Sequence, residues 1–104
     1  EDPLCGFDVS ISMWRDILDG VFYAGNKNNL RTLPKELPVH IIGGSQDPCT
    51  NNGRDMEKLA VKLQNNGLSD VTCKILEYTR HESLNEINRD QTTALFISWL
   101  QERF

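Results

Sequence analysis

Two side chains have the type and setting for proton-transfer chemistry. One is His81, in the stretch LEYTRHESLNE (residues 76–86); the other is Asp47, in GGSQDP (residues 43–48). His81, with Arg80 beside it, follows a β-branched, strand-like run at residues 71–76. A histidine on a loop at the end of a strand is fixed at its base and free at its tip. Its imidazole titrates near neutrality, which suits a group that takes and returns a proton. Asp47 closes a second strand-like run thirty-four residues upstream. An acid and a histidine delivered by adjacent strands can form the acid–base half of a hydrolytic triad. The nucleophile half finds no candidate. Residues 43–47, Gly-Gly-Ser-Gln-Asp, lack the second glycine of a G-x-S-x-G elbow, and neither Ser45 nor Ser83 lies on a strand-to-helix elbow.

Each of these residues also has a plainer reading. Asp followed by Pro48 is a common turn former. Arg80 and Glu82 can pair with other charges or solvent, and Glu86 is expected to cap or brace the histidine loop. His40, inside the first strand-like run, is expected to be structural.

The elements that must position the pair can be read from periodicity. From Ser10, residues Trp14, Ile17, Leu18, Val21 and Phe22 form one apolar helical stripe, capped by Ser10 or Ser12 and ended by Gly25 and Asn26-Lys27-Asn28-Asn29. Packing against a core is the ordinary role of such a stripe; lining an acyl pocket as a lid helix is the sharper one. A connector follows, punctuated by Pro34 and Pro38, with room for one helical turn. Then PVHIIGG reads as a buried strand closed by Gly43-Gly44. Met56, Leu59, Ala60 and Leu63 mark a second helix, which Asn65-Asn66-Gly67 stops, Gly67 being free to take positive φ. Residues 71–76 alternate as a strand near a sheet edge. In the last helix Asn88 and Gln91 resemble a capping box, and Leu95, Phe96, Trp99 and Leu100 form the stripe expected to be buried. The order is helix, strand, helix, strand, helix, an α/β chain with two parallel strands in a right-handed βαβ unit.

Composition narrows the function classes. A chain of 104 residues holds one domain at most, and 38% hydrophobic with 25% charged residues suffices for a small core. A net charge of −4 with interspersed signs gives no support for a nucleic-acid groove or basic membrane patch. No apolar run approaches the ~20 residues of a membrane span. Cys5, Cys49 and Cys73 are an odd number without C-x-x-C or a histidine at ligand spacing, so free thiols are expected, without a disulfide framework or zinc site. That pattern suggests a reducing compartment, and a cytoplasmic location is the expectation. Two parallel strands make a poor stand-alone sheet. The chain is therefore expected to be a piece of something larger, pairing with an absent segment or with itself through its strand edges.

With these residues in place, the chain resembles the C-terminal part of an α/β-hydrolase. It is most similar to the serine-aminopeptidase-like group that includes monoacylglycerol lipases and lysophospholipases. PVHIIGGSQDP (residues 38–48) is similar to the family's penultimate strand and acid-bearing turn, which maps the triad acid onto Asp47. RHESLNE (residues 80–86) with Asn88-Arg89-Asp90 is similar to its histidine loop and last helix, which maps the triad histidine onto His81. The likeness runs over residues 33–100 and is weaker over residues 1–29, where CGF and the tryptophan-bearing helix look like a cap region. Glu77-Tyr78-Thr79 departs from the Pro-Gly-type turn common in the family. The resemblance implies a loop and lid-like helix over residues 1–29 and the C-terminal βαβα part of the hydrolase core over residues 30–104. It further implies a serine nucleophile and oxyanion donors upstream, a lipid-like carboxylic ester as substrate, no cofactor, and no hydrolysis by this chain alone. A non-catalytic interaction module on the same scaffold is the alternative.

Overall fold

The computed structural model describes residue 6 and residues 8–104. Cys5 and most of the CGF segment therefore lie outside the described residues. The chain divides after Thr32 into two compact units.

The first unit holds two helices, α1 (Ile11–Gly25) and α2 (Lys27–Arg31). Ser10 is the cap of α1: its hydroxyl oxygen accepts the Met13 amide at 3.1 Å, satisfying one of the donors a helix start leaves unpaired. Asn26 ends one helix and begins the next. Its backbone N–H donates to the Tyr23 carbonyl, and its side chain accepts the Asn28 amide at 2.8 Å. The segment expected only to stop α1 thus also starts α2. The stripe Trp14–Ile17–Leu18–Val21–Phe22 is exposed, and no residue of α1 is buried, which corrects the expectation of ordinary core packing.

The second unit runs β1 (Val39–Gly44), a 3₁₀ turn (Pro48–Thr50), α3 (Arg54–Asn65), β2 (Val71–Leu76) and α4 (Arg89–Gln101). The strands pair in parallel, from Val39 opposite Val71 to Gly44 opposite Leu76. Parallel neighbours need a crossover, and α3 is that crossover. Met56, Ala60 and Leu63 on α3, with Leu68 and Leu76, form this unit's buried apolar core. Leu59, expected among them, is exposed. Asp55 and Glu57 in the first turn of α3 and Lys62 in the last complement the helix dipole. Gly67 takes φ +100° just beyond the helix, as its position requires.

Two expectations for α4 need correction. Asn88 makes no side-chain cap bond to the helix; its Nδ2 donates instead to Thr79 Oγ1 at 2.8 Å. The stripe Leu95–Phe96–Trp99–Leu100 is not buried either. Leu95 and Phe96 are exposed, Trp99 and Leu100 are half-buried, and Thr92 is the one buried residue of the helix. Two strands offer too little surface to cover a helix face, so most of the apolar side chains of α4 face water. No helix among the described residues is long and apolar enough to cross a membrane.

Candidate active site

Asp47 leaves β1 in a turn built on its own side chain. Oδ1 accepts the Cys49 amide at 2.9 Å and Oδ2 accepts the Thr50 hydroxyl at 3.0 Å, while the Asn52 amide donates to the Asp47 carbonyl at 2.8 Å. Asn51 and Asn52 take positive φ, a conformation asparagine tolerates better than most residues, and this folds the chain back to start α3 at Gly53. The turn-forming reading of Asp47 is therefore correct, and the carboxylate still has capacity for a further partner. Thr50 was not singled out in the sequence. A hydroxyl three residues after a turn aspartate was the available signal.

His81 leaves β2 on a loop that is fastened to the Asp47 turn. The Ser45 amide donates to Leu76 O at 2.9 Å, the Gln46 amide to Thr79 O at 2.9 Å, and the Tyr78 amide to Ser45 Oγ at 3.1 Å. Gly44 makes this approach possible: a Cβ there would fall 1.9 Å from the Thr79 carbonyl oxygen. Thr79 is fully buried; its hydroxyl donates to Glu77 O at 3.0 Å and accepts from Asn88. On the far side of the histidine, Glu86 Oε1 accepts the Arg80 amide at 3.1 Å, so Glu86 braces the loop.

These fasteners bring the two sequence-selected residues together. His81 Nδ1 and Asp47 Oδ2 are 3.1 Å apart. The Asp47 side chain is 3% exposed, whereas the His81 side chain is 63% exposed. Burial alone would push the Asp47 carboxyl up. Hydrogen bonds from His81, the Cys49 amide and Thr50 outweigh it and hold the acid below its ordinary 3.8. The hydrogen bond to Asp47, then that carboxylate's charge, raises His81 above its ordinary 6.5 against a smaller opposing effect of desolvation. An imidazole that gives its Nδ1 proton to a carboxylate keeps Nε2 as the basic nitrogen, the state a general base requires. Among the described residues no serine hydroxyl hydrogen-bonds His81; Ser45 is spent on the Tyr78 amide.

The other candidates sit apart from this pair. His40 Nδ1 is 2.7 Å from Thr72 Oγ1, and the ring stacks on Trp99 at 4.9 Å, a structural role. Arg103 lies over Trp99 with its guanidinium 4.5 Å from the ring centre, and pairs with Asp70 through two hydrogen bonds of 2.7 and 2.9 Å. Cys49 and Cys73 are free thiols; burial, with Glu57 nearby, pushes Cys73 up.

No protein-family model matches the chain, and no curated protein does. Among solved structures, a highly thermostable carboxyl esterase from Bacillus coagulans, determined in complex with glycerol, matches with a TM-score of 0.85 and 23% sequence identity. The match covers 97% of this chain and 33% of the esterase, so the chain spans a third of that protein's length. Likeness at this identity establishes the fold. The class is α/β, and the two parallel strands with their helices match part of that esterase's α/β-hydrolase fold.

Proposed function

We propose that this chain is part of a serine hydrolase acting on carboxylic esters, to which it supplies the acid, Asp47, and the base, His81. The observation that carries the proposal is the 3.1 Å contact between a buried carboxylate and an accessible imidazole at the ends of two parallel strands. The fold shared with a carboxyl esterase supports the same reading. In the proposed reaction His81 Nε2 takes the proton of a serine hydroxyl as the oxygen attacks the ester carbonyl. It returns that proton to the leaving alcohol and then repeats the cycle with water on the acyl-enzyme. Asp47 holds the tautomer and stabilises the imidazolium.

The serine and the oxyanion donors would come from a preceding segment of the hydrolase. Two features support such a partner: the strands pair only with each other among the described residues, and α4 leaves Leu95, Phe96 and Ile97 exposed. The alternative partner for these surfaces is a second copy of the chain. For the substrate we propose a lipid-like ester, a monoacylglycerol or lysophospholipid. The sequence resemblance supports it.

Labelling of the full-length polypeptide by a fluorophosphonate tests this reading. A labelled serine upstream of residue 1, with labelling lost in His81→Ala, is the expected result. A folded full-length protein that takes no label would instead be a non-catalytic interaction module on this scaffold.

A further inference from the structure

The contact that aligns the imidazole also places a thiol beside it. One ligand atom each from Asp47, Cys49 and His81 lies within 4.8 Å of the others. We propose that these three side chains form a site for a thiophilic divalent cation, zinc above all, and that filling it switches off the proton relay.

The donor set fits that ion. Zinc takes carboxylate oxygen and imidazole nitrogen at about 2.0–2.2 Å and thiolate sulfur at about 2.3 Å, in tetrahedral geometry. Asp47 Oδ2 and His81 Nδ1, 3.1 Å apart, subtend an angle of about 100° at an ion held at those distances. Cys49 is exposed, so its sulfur can rotate onto the third position, and water fills the fourth. One thiolate and one carboxylate balance the two positive charges. The Cys49 amide and Thr50 hydroxyl already orient the carboxylate, as outer partners do in metal sites. Cys49 and His81 are both exposed, so the ion has a path from solvent.

Binding is a proton displacement. The Cys49 thiol loses its proton to solvent as the sulfur–metal bond forms. At His81 the metal takes the Nδ1 lone pair, the Nδ1 proton leaves to solvent, and Nε2 binds one proton from solvent, so the ring stays neutral with its single proton on Nε2. That is the tautomer in which Nε2 cannot accept a proton from a serine hydroxyl. The cation therefore blocks the base without occupying a substrate pocket. The inhibitory half of this proposal rests on the hydrolase reading; the cation site does not.

Cobalt(II) makes the site visible. In a chain carrying Cys5→Ser and Cys73→Ser, cobalt should produce a thiolate-to-metal charge-transfer band. Cys49→Ser should abolish it, and His81→Ala should weaken binding about tenfold or more. A folded chain without the band, or His81→Ala binding as tightly as the parent, overturns the site. Should the double variant unfold, the band is followed in the unaltered chain, where its persistence after Cys49→Ser alone overturns the site equally. In the full-length hydrolase, zinc should lower kcat without raising KM. Cys49→Ser should be at least tenfold less sensitive to zinc, each protein's inhibition being read against its own metal-free turnover. Zinc-indifferent turnover overturns the inhibition. A cobalt band in a full-length protein with no ester turnover supports the cation site and counts against the hydrolase reading.

Discussion

Asp47 Oδ2 and His81 Nδ1 meet at 3.1 Å across thirty-four residues of chain, with the acid buried and the imidazole open to solvent. The asymmetry gives the pair its electrostatics. A carboxylate removed from water but given three hydrogen-bond donors stays charged, and its charge is poorly screened from the ring it touches.

The two histidines should therefore titrate on opposite sides of 6.5. His81 is raised by the hydrogen bond and charge of Asp47, while His40 is lowered, first by burial and then by the Arg103 cation. Resolved imidazole proton shifts followed against pH check this. Asp47→Asn should bring His81 down and leave His40 in place. Arg103→Ala should raise His40, because the cation is gone and water reaches the ring.

The same shifts fix how stability depends on pH. A folded-state pKa above the unfolded one means that the His81 contribution is fully present below about 6.5 and is lost as pH rises through the raised folded value. The depressed acid works the other way: the Asp47 contribution is present above 3.8 and is lost as pH falls through its lowered folded value. Urea midpoints across this range should be highest between the two windows. His81→Ala should flatten the alkaline limb.

The proposed hydrolase reading is checked in the full-length protein, where Asp47→Asn should lower kcat for ester turnover by about 10⁴-fold, the scale expected when a triad acid can no longer hold the tautomer. His81→Ala should cost at least as much, with little change in KM. Single-turnover acylation kinetics separate this from slow product release. Unchanged acylation in either variant would clear that residue of the role.

Gly44 and Gly43 should respond differently to alanine. At Gly44 a Cβ meets the Thr79 backbone, which cannot move without dragging the His81 loop; at Gly43 it meets the Met56 thioether, which can swing aside. Gly44→Ala should cost at the upper end of the range for overpacking, about 3 kcal/mol, and move His81 toward 6.5. Gly43→Ala should cost about 1 kcal/mol or less and leave that titration alone. Denaturant unfolding and the histidine titration together check both.

Tyr78 holds φ +57° with its side chain exposed. A left-handed conformation costs an L-residue about 1–2 kcal/mol, whereas glycine adopts it freely at a smaller entropic cost in the unfolded chain. Tyr78→Gly should stabilise the protein by up to about 1 kcal/mol, read from the urea midpoint. This is the position where the sequence departs from a Pro-Gly-type turn, and the backbone keeps a glycine-like conformation without the glycine.

What could be read from the sequence alone was what is decided within a few residues. Ser10 caps α1, Gly67 follows α3, β2 spans Val71–Leu76, and Asp47 and His81 stand just past strand ends. Each depends on spacing, on a nearby backbone amide or on one φ angle, and each is legible from side-chain type and period. The rest waited on residues thirty or more apart along the chain. Parallel register set the strand ends side by side, and Gly44 let the Thr79 carbonyl come close enough to fasten the two loops. At shorter range, Asn88 bonds Thr79 nine residues back instead of capping its helix, and Cys49, two residues from Asp47, comes beside His81 once the loops are fastened. The exposure of the α1 and α4 stripes was likewise a tertiary outcome. Periodicity tells which face of a helix is apolar, but only the surrounding elements determine whether that face is covered.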